Sequence, residues 1–298
     1  MDRGDAAATV AEEEVTPHFA RFAAIDWSGA KGKRHKGIAI AVCEAGSAAP
    51  ALIRPSHVWS RTQVLEWLLT AGREAPTLFG FDFSFAPPIQ ERGEYLPGEA
   101  GVPKDAKAFW AYVDMRCEDE DLGAASFLET AHRRHFYFGA ADGVKRDFLQ
   151  HRVCEEAFNA TGGGKASTLY DAIGAAQVAK ASFAGMRLLH ALDGRVPVWP
   201  FDPLPATGSL VVEIYTRAFI RLAGLPGRKV RSPDQLGLAL AALGSAPFAS
   251  AGPLSDHDTD VLIAAAGLRR IAADPAWWAP AGLTPALAPG EGWTFGVR

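Results

Sequence analysis

Cysteine is scarce in this chain: three residues in 298, at positions 43, 117 and 154. An odd number at such wide spacing excludes a disulfide framework and a paired-cysteine zinc site, so reduced thiols and a cytoplasmic location are expected. An excess of one charge is also missing. Thirty Lys and Arg face 34 Asp and Glu, a formal net charge of −4. Without a basic surplus there is no general attraction to nucleic acid, and any such contact needs a local basic patch. A membrane-spanning run is lacking too. The longest charge-free stretch, Gln235 to Ser255, is broken by Pro247, Pro253 and several Gly and Ser residues, and reads as a short helix followed by a loop. The acidic cluster Glu12, Glu13 and Glu14 is not the basic start of a signal peptide. Residues 1–19 read as a disordered leader.

What is present is globular: 48% hydrophobic and 21% charged residues, in a chain long enough to bury about three-quarters of its unfolded surface. Residues 21–27, 38–43 and 51–59 form three apolar runs that read as an antiparallel meander. Ser60 with Gln63 is a capping-box pattern, and Val64, Leu65 and Leu68 give the helix stripe that follows it. Leu78 to Phe85 reads as a fourth strand, with Phe79, Phe81, Phe83 and Phe85 on one face and Asp82 and Ser84 on the other. Residues 86–205 read as an irregular to helical insertion, with a Gly162-Gly163-Gly164 turn before a helix at 169–192. A fifth strand at 210–215 surrounds Glu213, and a helix after it ends near Gly224. A last helix starts at Ser255 and runs to about Ala273, ahead of a Trp- and Pro-rich tail with Trp277, Trp278 and Trp293. The expectation is an α/β fold over 20–298: a mixed five-stranded sheet flanked by helices, the first strand central beside the fourth. Ligands then belong beyond the carboxyl ends of the central strands.

Chemistry concentrates in acids. Asp26 and Asp82 sit in matching contexts, Ile-Asp-Trp-Ser and Phe-Asp-Phe-Ser, at strongly apolar strands. Either one alone reads equally well as a turn-capping carboxylate. Two together on adjacent strand ends repel each other and are costly to bury, and a divalent cation relieves both problems. Hard oxygen donors favour Mg²⁺ or Mn²⁺. In Ser255-Asp256-His257-Asp258-Thr259-Asp260, Ser255 and Asp258 form a capping box, and Asp256 and Asp258 complement the helix dipole. The buried stripe Val261, Ala264, Ala265, Leu268 and Ala272 includes His257 and has Asp260 at its margin, so both should face the sheet. Asp26, Asp82 and Asp260 are the candidate metal ligands, with His257 alongside; Asp256 and Glu213 are possible additions, Glu213 reading equally as a partly exposed strand residue.

The strings AIDWSGA, FGFDFSFAPP, WPFD, VVEIYTRA, SDHDTDVLIAAAGLRR and EGWTFGV resemble the domain of unknown function 429, a family placed in the RNase H-like superfamily. AAQVAKASFAGMRLL within the insertion looks like a family-specific element. Among characterised relatives, the acidic pattern is similar to that of RuvC-type resolvases: Asp26 on the first strand, Asp82 on the fourth, His257 and Asp260 on the last helix. The fourth-strand acid is Asp where resolvases carry Glu, and the long insertion is not theirs. The resemblance implies an RNase H-like fold with the insertion between strands 4 and 5, and a nuclease that hydrolyses phosphodiesters with two Mg²⁺ ions bridged by Asp26.

Lys31, Lys33, Arg34 and Lys36, leading out of Asp26, are the candidates for gripping a DNA or RNA backbone. Arg133, Arg134, Lys145 and Arg146 form a second basic cluster; solvated loops are the plain reading of both. Two other classes stay open: an actin-like ATPase or kinase, which the lack of a second glycine-rich phosphate loop disfavours, and an inactive nucleic-acid-binding module. Thr161 to Ser167 fails as a P-loop because Ala166 stands where Ser or Thr should follow the Lys. His132-Arg-Arg-His135 lacks the Glu and the spacing of a zinc-protease helix, and no Gly-x-Ser-x-Gly elbow occurs.

Overall fold

A computed structural model describes residues 17–162, 165–173, 178–225, 229–250 and 252–298. Strands β1 (Arg21–Asp26), β2 (Ala39–Glu44) and β3 (Ala51–Leu52) form the antiparallel meander. Helix α1 (Arg61–Glu74) carries the chain to β4 (Thr77–Asp82), which lies parallel to β1. The long connection that follows contains α2 (Ala106–Met115), α3 (Val153–Ala160), α4 (Val178–Ala191) and the short strand β5 (Val198–Trp199). Then come β6 (Leu210–Ile214), α5 (Thr216–Leu222), α6 (Pro233–Ala242), α7 (Asp256–Ala272), α8 (Ala288–Glu291) and β7 (Thr294–Phe295). The sheet runs β3-β2-β1-β4-β6-β5, with β7 also pairing β6, so β1 is central beside β4.

Seven strands are found among the described residues, not the expected five. The two additions, β5 and β7, are two residues each, too short for an alternating pattern to register. The run 51–59 also pairs less than its composition implied. Arg54 and Ser56 take left-handed conformations that turn the chain after Leu52, and only a bridge from Trp59 to His35 returns it to the meander. In the expected helix at 169–192, the described helical residues are 178–191. Most of the leader, residues 1–16, and Gly163 and Gly164 of the glycine turn lie outside the described residues, as do residues 175–177 of the proposed family element. Phe19 is buried against Phe22 and Trp278, so the core begins before residue 20.

Alternation along the strands divides the core between the two sheet faces. Ala23, Ile25, Phe79 and Phe81 pack with Phe83, Phe85, α1, α2 and α4. Phe22, Ala24, Leu78, Leu210 and Val212 pack under α5, α6 and α7. Helix α7 lies on β1 and β2, and the small residues Ala24, Ala39, Ala41 and Gly80 leave room for it. A Cβ on Gly80 would stand 2.8 Å from both Ile214 Cγ2 and Leu268 Cδ1. By the same parity, Asp26 and Asp82 extend the α7 face beyond its apolar part. The tail packs on the core: Trp278 and Trp293 are buried, and the Trp278 indole N–H donates to Ala272 O at 2.9 Å.

Gly80→Ala therefore overpacks the α7 seat, and urea titration should show a loss of about 1–3 kcal/mol of unfolding free energy. An unchanged or raised stability would contradict this seating of α7.

Candidate active site

Asp26 and Asp82 end β1 and β4 and face each other in the parallel register. Each stands where its strand leaves the sheet, so the two carboxylates share one rim. The first turn of α7 is fixed above them by its capping box: the Ser255 hydroxyl accepts from Asp258 N at 3.1 Å, and Ser255 N donates to the Asp258 carboxylate at 2.9 Å. Asp258 is thus consumed by the cap, while His257 and Asp260 point toward the sheet rim. His257 Nδ1 lies 2.6 Å from Asp26 Oδ2. The expectation that His257 belongs to the buried stripe is corrected: its side chain is 47% exposed, because this first turn projects past the end of the sheet.

The four groups form one electrostatic unit. Burial pushes the Asp82 carboxyl up to about 8, the Asp26 charge adds to this, and Asp260 contributes further; the Thr216 hydroxyl, donating to Asp82 Oδ2 at 2.8 Å, opposes it. Asp260 is pushed up to about 6, first by burial and then by Asp26, with Lys229 pulling the other way. The hydrogen bond to Asp26 holds His257 above its ordinary range, reinforced by the charges of Asp26, Asp260 and Asp256. Acids perturbed by burial and by one another make the rim a candidate site.

The three aspartates do not close into a cage. Among the described residues, the group of three or more His, Cys, Asp or Glu whose ligand atoms all lie within 4.8 Å of one another is Glu99, His132 and His135. The donor chemistry at the rim nevertheless fits a hard divalent cation: three carboxylates, two of them with displaceable protons. Mg²⁺ is commonly held by one or two carboxylates with water or phosphate oxygens completing its shell, so wider spacing suits it.

No family model, curated protein or solved structure matches the chain.

Other expected site residues lie elsewhere or are engaged. Glu213 is buried and is not at the acidic rim's disposal. The Arg152 guanidinium grips it, with NH1 donating to Oε2 at 2.8 Å and NH2 contacting Oε1; Phe85 N and the Thr294 hydroxyl donate to it at 2.7 and 2.6 Å. It ties β6 to the chain leaving β4 and to β7. Asp256 pairs with Lys229 at 2.9 Å on the surface. In the basic segment, Lys31 pairs with Glu129 at 2.6 Å, Lys33 with Glu120 at 3.0 Å, and Arg34 donates to Gln63 Oε1 and Val58 O. Lys36 is exposed and makes no ion pair among the described residues.

Two residues that sequence reading passed over shape the site. Thr216, at the start of α5, caps Asp82. Arg61, fully buried in the first turn of α1, donates to Ser28 O at 2.8 and 2.9 Å and to Ala30 O at 2.6 Å. It thereby fixes the loop leaving Asp26. A cation in a first helical turn opposes the helix dipole, and that misplacement was the available signal.

Folded Asp82 keeps its proton up to about pH 8, while the unfolded carboxyl releases it near 3.8. The folded chain binds more protons between these values, so the associated stability is complete below about pH 4 and is lost as pH rises through about 8. Asp82→Asn removes that loss. In metal-free buffer at about pH 9 it should be more stable than the wild type by on the order of a few kcal/mol, with the difference shrinking toward pH 4. Denaturation curves across pH that show no such gain would contradict the burial of this charge.

Proposed function

We propose that the chain is an RNase H-like, metal-dependent nuclease related to the domain of unknown function 429, hydrolysing DNA or RNA phosphodiesters with Mg²⁺ or Mn²⁺ at Asp26, Asp82 and Asp260. The observation that carries this reading is the in-register pair Asp26 and Asp82 on adjacent parallel strands beneath the start of α7. A meander whose first strand lies mid-sheet beside the fourth is the arrangement that the RNase H-like reading expects, and the order β3-β2-β1-β4-β6 agrees with it. The segment 86–205 is on this reading the insertion between the fourth and fifth core strands.

Asp26, Asp82 and Asp260 would hold the ion. When bound, a divalent ion lowers the pKa of the attacking water and offsets charge on the leaving oxygen. Asp26 also fixes His257 through Nδ1, leaving Nε2 turned toward Gly37, where a Cβ would stand 3.6 Å from it. That nitrogen is positioned to orient a water or a phosphate oxygen. Arg61 holds the carbonyls of Ser28 and Ala30 in the loop that leaves Asp26, and on this reading Lys31, Lys33, Arg34 and Lys36, which follow in the chain, would grip the nucleic-acid backbone. Lys33 and Glu120 are both exposed and Lys31 is exposed against a half-buried Glu129, and exposed pairs contribute about 0–1 kcal/mol. Exchanging a glutamate for a phosphate is therefore inexpensive.

Metal affinity should rise as pH increases from about 6 to about 8, because the ion must displace protons from Asp260 and Asp82. Calorimetric titration with Mn²⁺ at three pH values tests this. Incubation with single- and double-stranded DNA and RNA in Mn²⁺ should give cleavage that falls on the order of a hundredfold or more in Asp26→Asn. Mn²⁺ binding without turnover on any substrate would favour a binding module, and no Mn²⁺ binding at all would overturn the proposal.

A further inference from the structure

The motif His132-Arg-Arg-His135 has no glutamate of its own, but the fold brings one to it. Glu99 lies in the connection between β4 and α2, and its Oε1 stands 3.0 Å from His135 Nε2 and 3.7 Å from His132 Nδ1. His132 closes a π-helical turn, Phe127–Ala131, a local distortion often found at functional positions. Its ring is 6% exposed and packs against Phe127 in a tilted contact, 4.3 Å between centroids. Its Nε2 faces the Tyr112 hydroxyl at 3.4 Å, while Nδ1, buried and aimed at Glu99, has no hydrogen-bond partner among the described residues. An orphaned buried imidazole nitrogen requires an explanation, and an absent ion is one of the ordinary ones.

We propose that Glu99, His132 and His135 form a binding site for a transition-metal ion of the zinc class, made of residues separate from the carboxylate rim. Two imidazoles and one carboxylate are a borderline donor set that selects Zn²⁺ and its neighbours over Mg²⁺. Zinc bonds of about 2.0–2.1 Å in a tetrahedron put ligand atoms roughly 3.3 Å apart, and the two separations at Glu99 Oε1 bracket that value. Burial holds both histidines below their ordinary range, so they are neutral ligands near pH 7, and the hydrogen bond from His135 holds Glu99 low, so it is ionised. The Tyr112 hydroxyl at the outer nitrogen of His132 is the kind of second partner that orients a ligating imidazole. Three protein ligands leave a fourth position for water or an anion.

The cation now at Glu99 is Arg134, whose Nε and NH2 lie 3.0 and 2.9 Å from Oε1. Its side chain is 62% exposed and can swing into solvent when an ion takes that oxygen. Arg116 and Arg92, which also act on the histidines, are drawn aside over the rings of Tyr112 and Tyr170.

The test is a Zn²⁺ titration of the full chain, stripped with a chelator and followed by calorimetry, with Co²⁺ absorption reporting coordination number. One Zn²⁺ per chain should bind outside the acidic rim, and Co²⁺ should give the intense bands of a four-coordinate ion. Glu99→Gln and His135→Asn should each raise Kd at least tenfold, Arg134→Gln should lower it, and Asp26→Asn should leave it unchanged. Glu99 is partly exposed, so its variant reads the site even if a histidine variant fails to fold. Absence of Zn²⁺ uptake, or uptake that survives both ligand variants, would overturn the proposal, as would uptake lost in Asp26→Asn alone.

Discussion

Repulsion between two carboxylates at neighbouring strand ends is the constraint around which the rest of the molecule is arranged. Asp26 and Asp82 occupy opposed positions in a parallel ladder, so their backbones are held side by side. Burial makes the charge on Asp82 expensive, and the fold answers locally: a hydroxyl from Thr216 on one side, and on the other an imidazole from His257 that shares Asp26. A third acid, Asp260, is added where two already compete. Structural economy alone does not favour adding like charge to such a rim. On the proposed function, a bound cation would offset that charge.

The surrounding architecture serves that placement. Helix α7 can lie close over β1 and β2 because the strand residues beneath it are small, and on β4 the methyl that Gly80 lacks would meet Leu268 and Ile214. Close approach brings the amino end of α7 to the carboxyl ends of the strands, where the sheet connections diverge. Beneath the rim, the buried Arg152 binds Glu213, Glu155 and the carbonyl of Glu291, joining α3, β6 and the tail. Such a network is expensive to dismantle from one side. Arg61 performs the same service for the loop after Asp26, which Gly29 allows to press against the backbone of Lys180 and Ala181.

Much of this was legible in the chain. Matching contexts flag Asp26 and Asp82, parity puts Asp82 on the face opposite the phenylalanines, and the Ser60 and Ser255 capping boxes locate α1 and α7, as observed. What escaped depends on partners distant in sequence. Glu213 reads as an ambiguous strand acid until Arg152, 61 residues earlier, is placed against it. Lys31 and Lys33 read as unengaged until Glu129 and Glu120 arrive from the long connection. His132 and His135 fail as a local zinc motif because their carboxylate belongs to another segment. The strands β5 and β7 escape for another reason: two residues carry no periodicity, and only the neighbouring β6 makes them strands. His257 was placed on the correct side of α7 but too deep, since periodicity gives direction around a helix and not where the sheet beneath it stops.

Anomalous diffraction from crystals soaked in Mn²⁺ addresses the central claim most directly. The account predicts a manganese peak at the sheet rim within about 2.0–2.3 Å of carboxylate oxygens from Asp26 and at least one of Asp82 and Asp260. A rim that stays bare of manganese, with Asp26 bound to His257 alone, would contradict it.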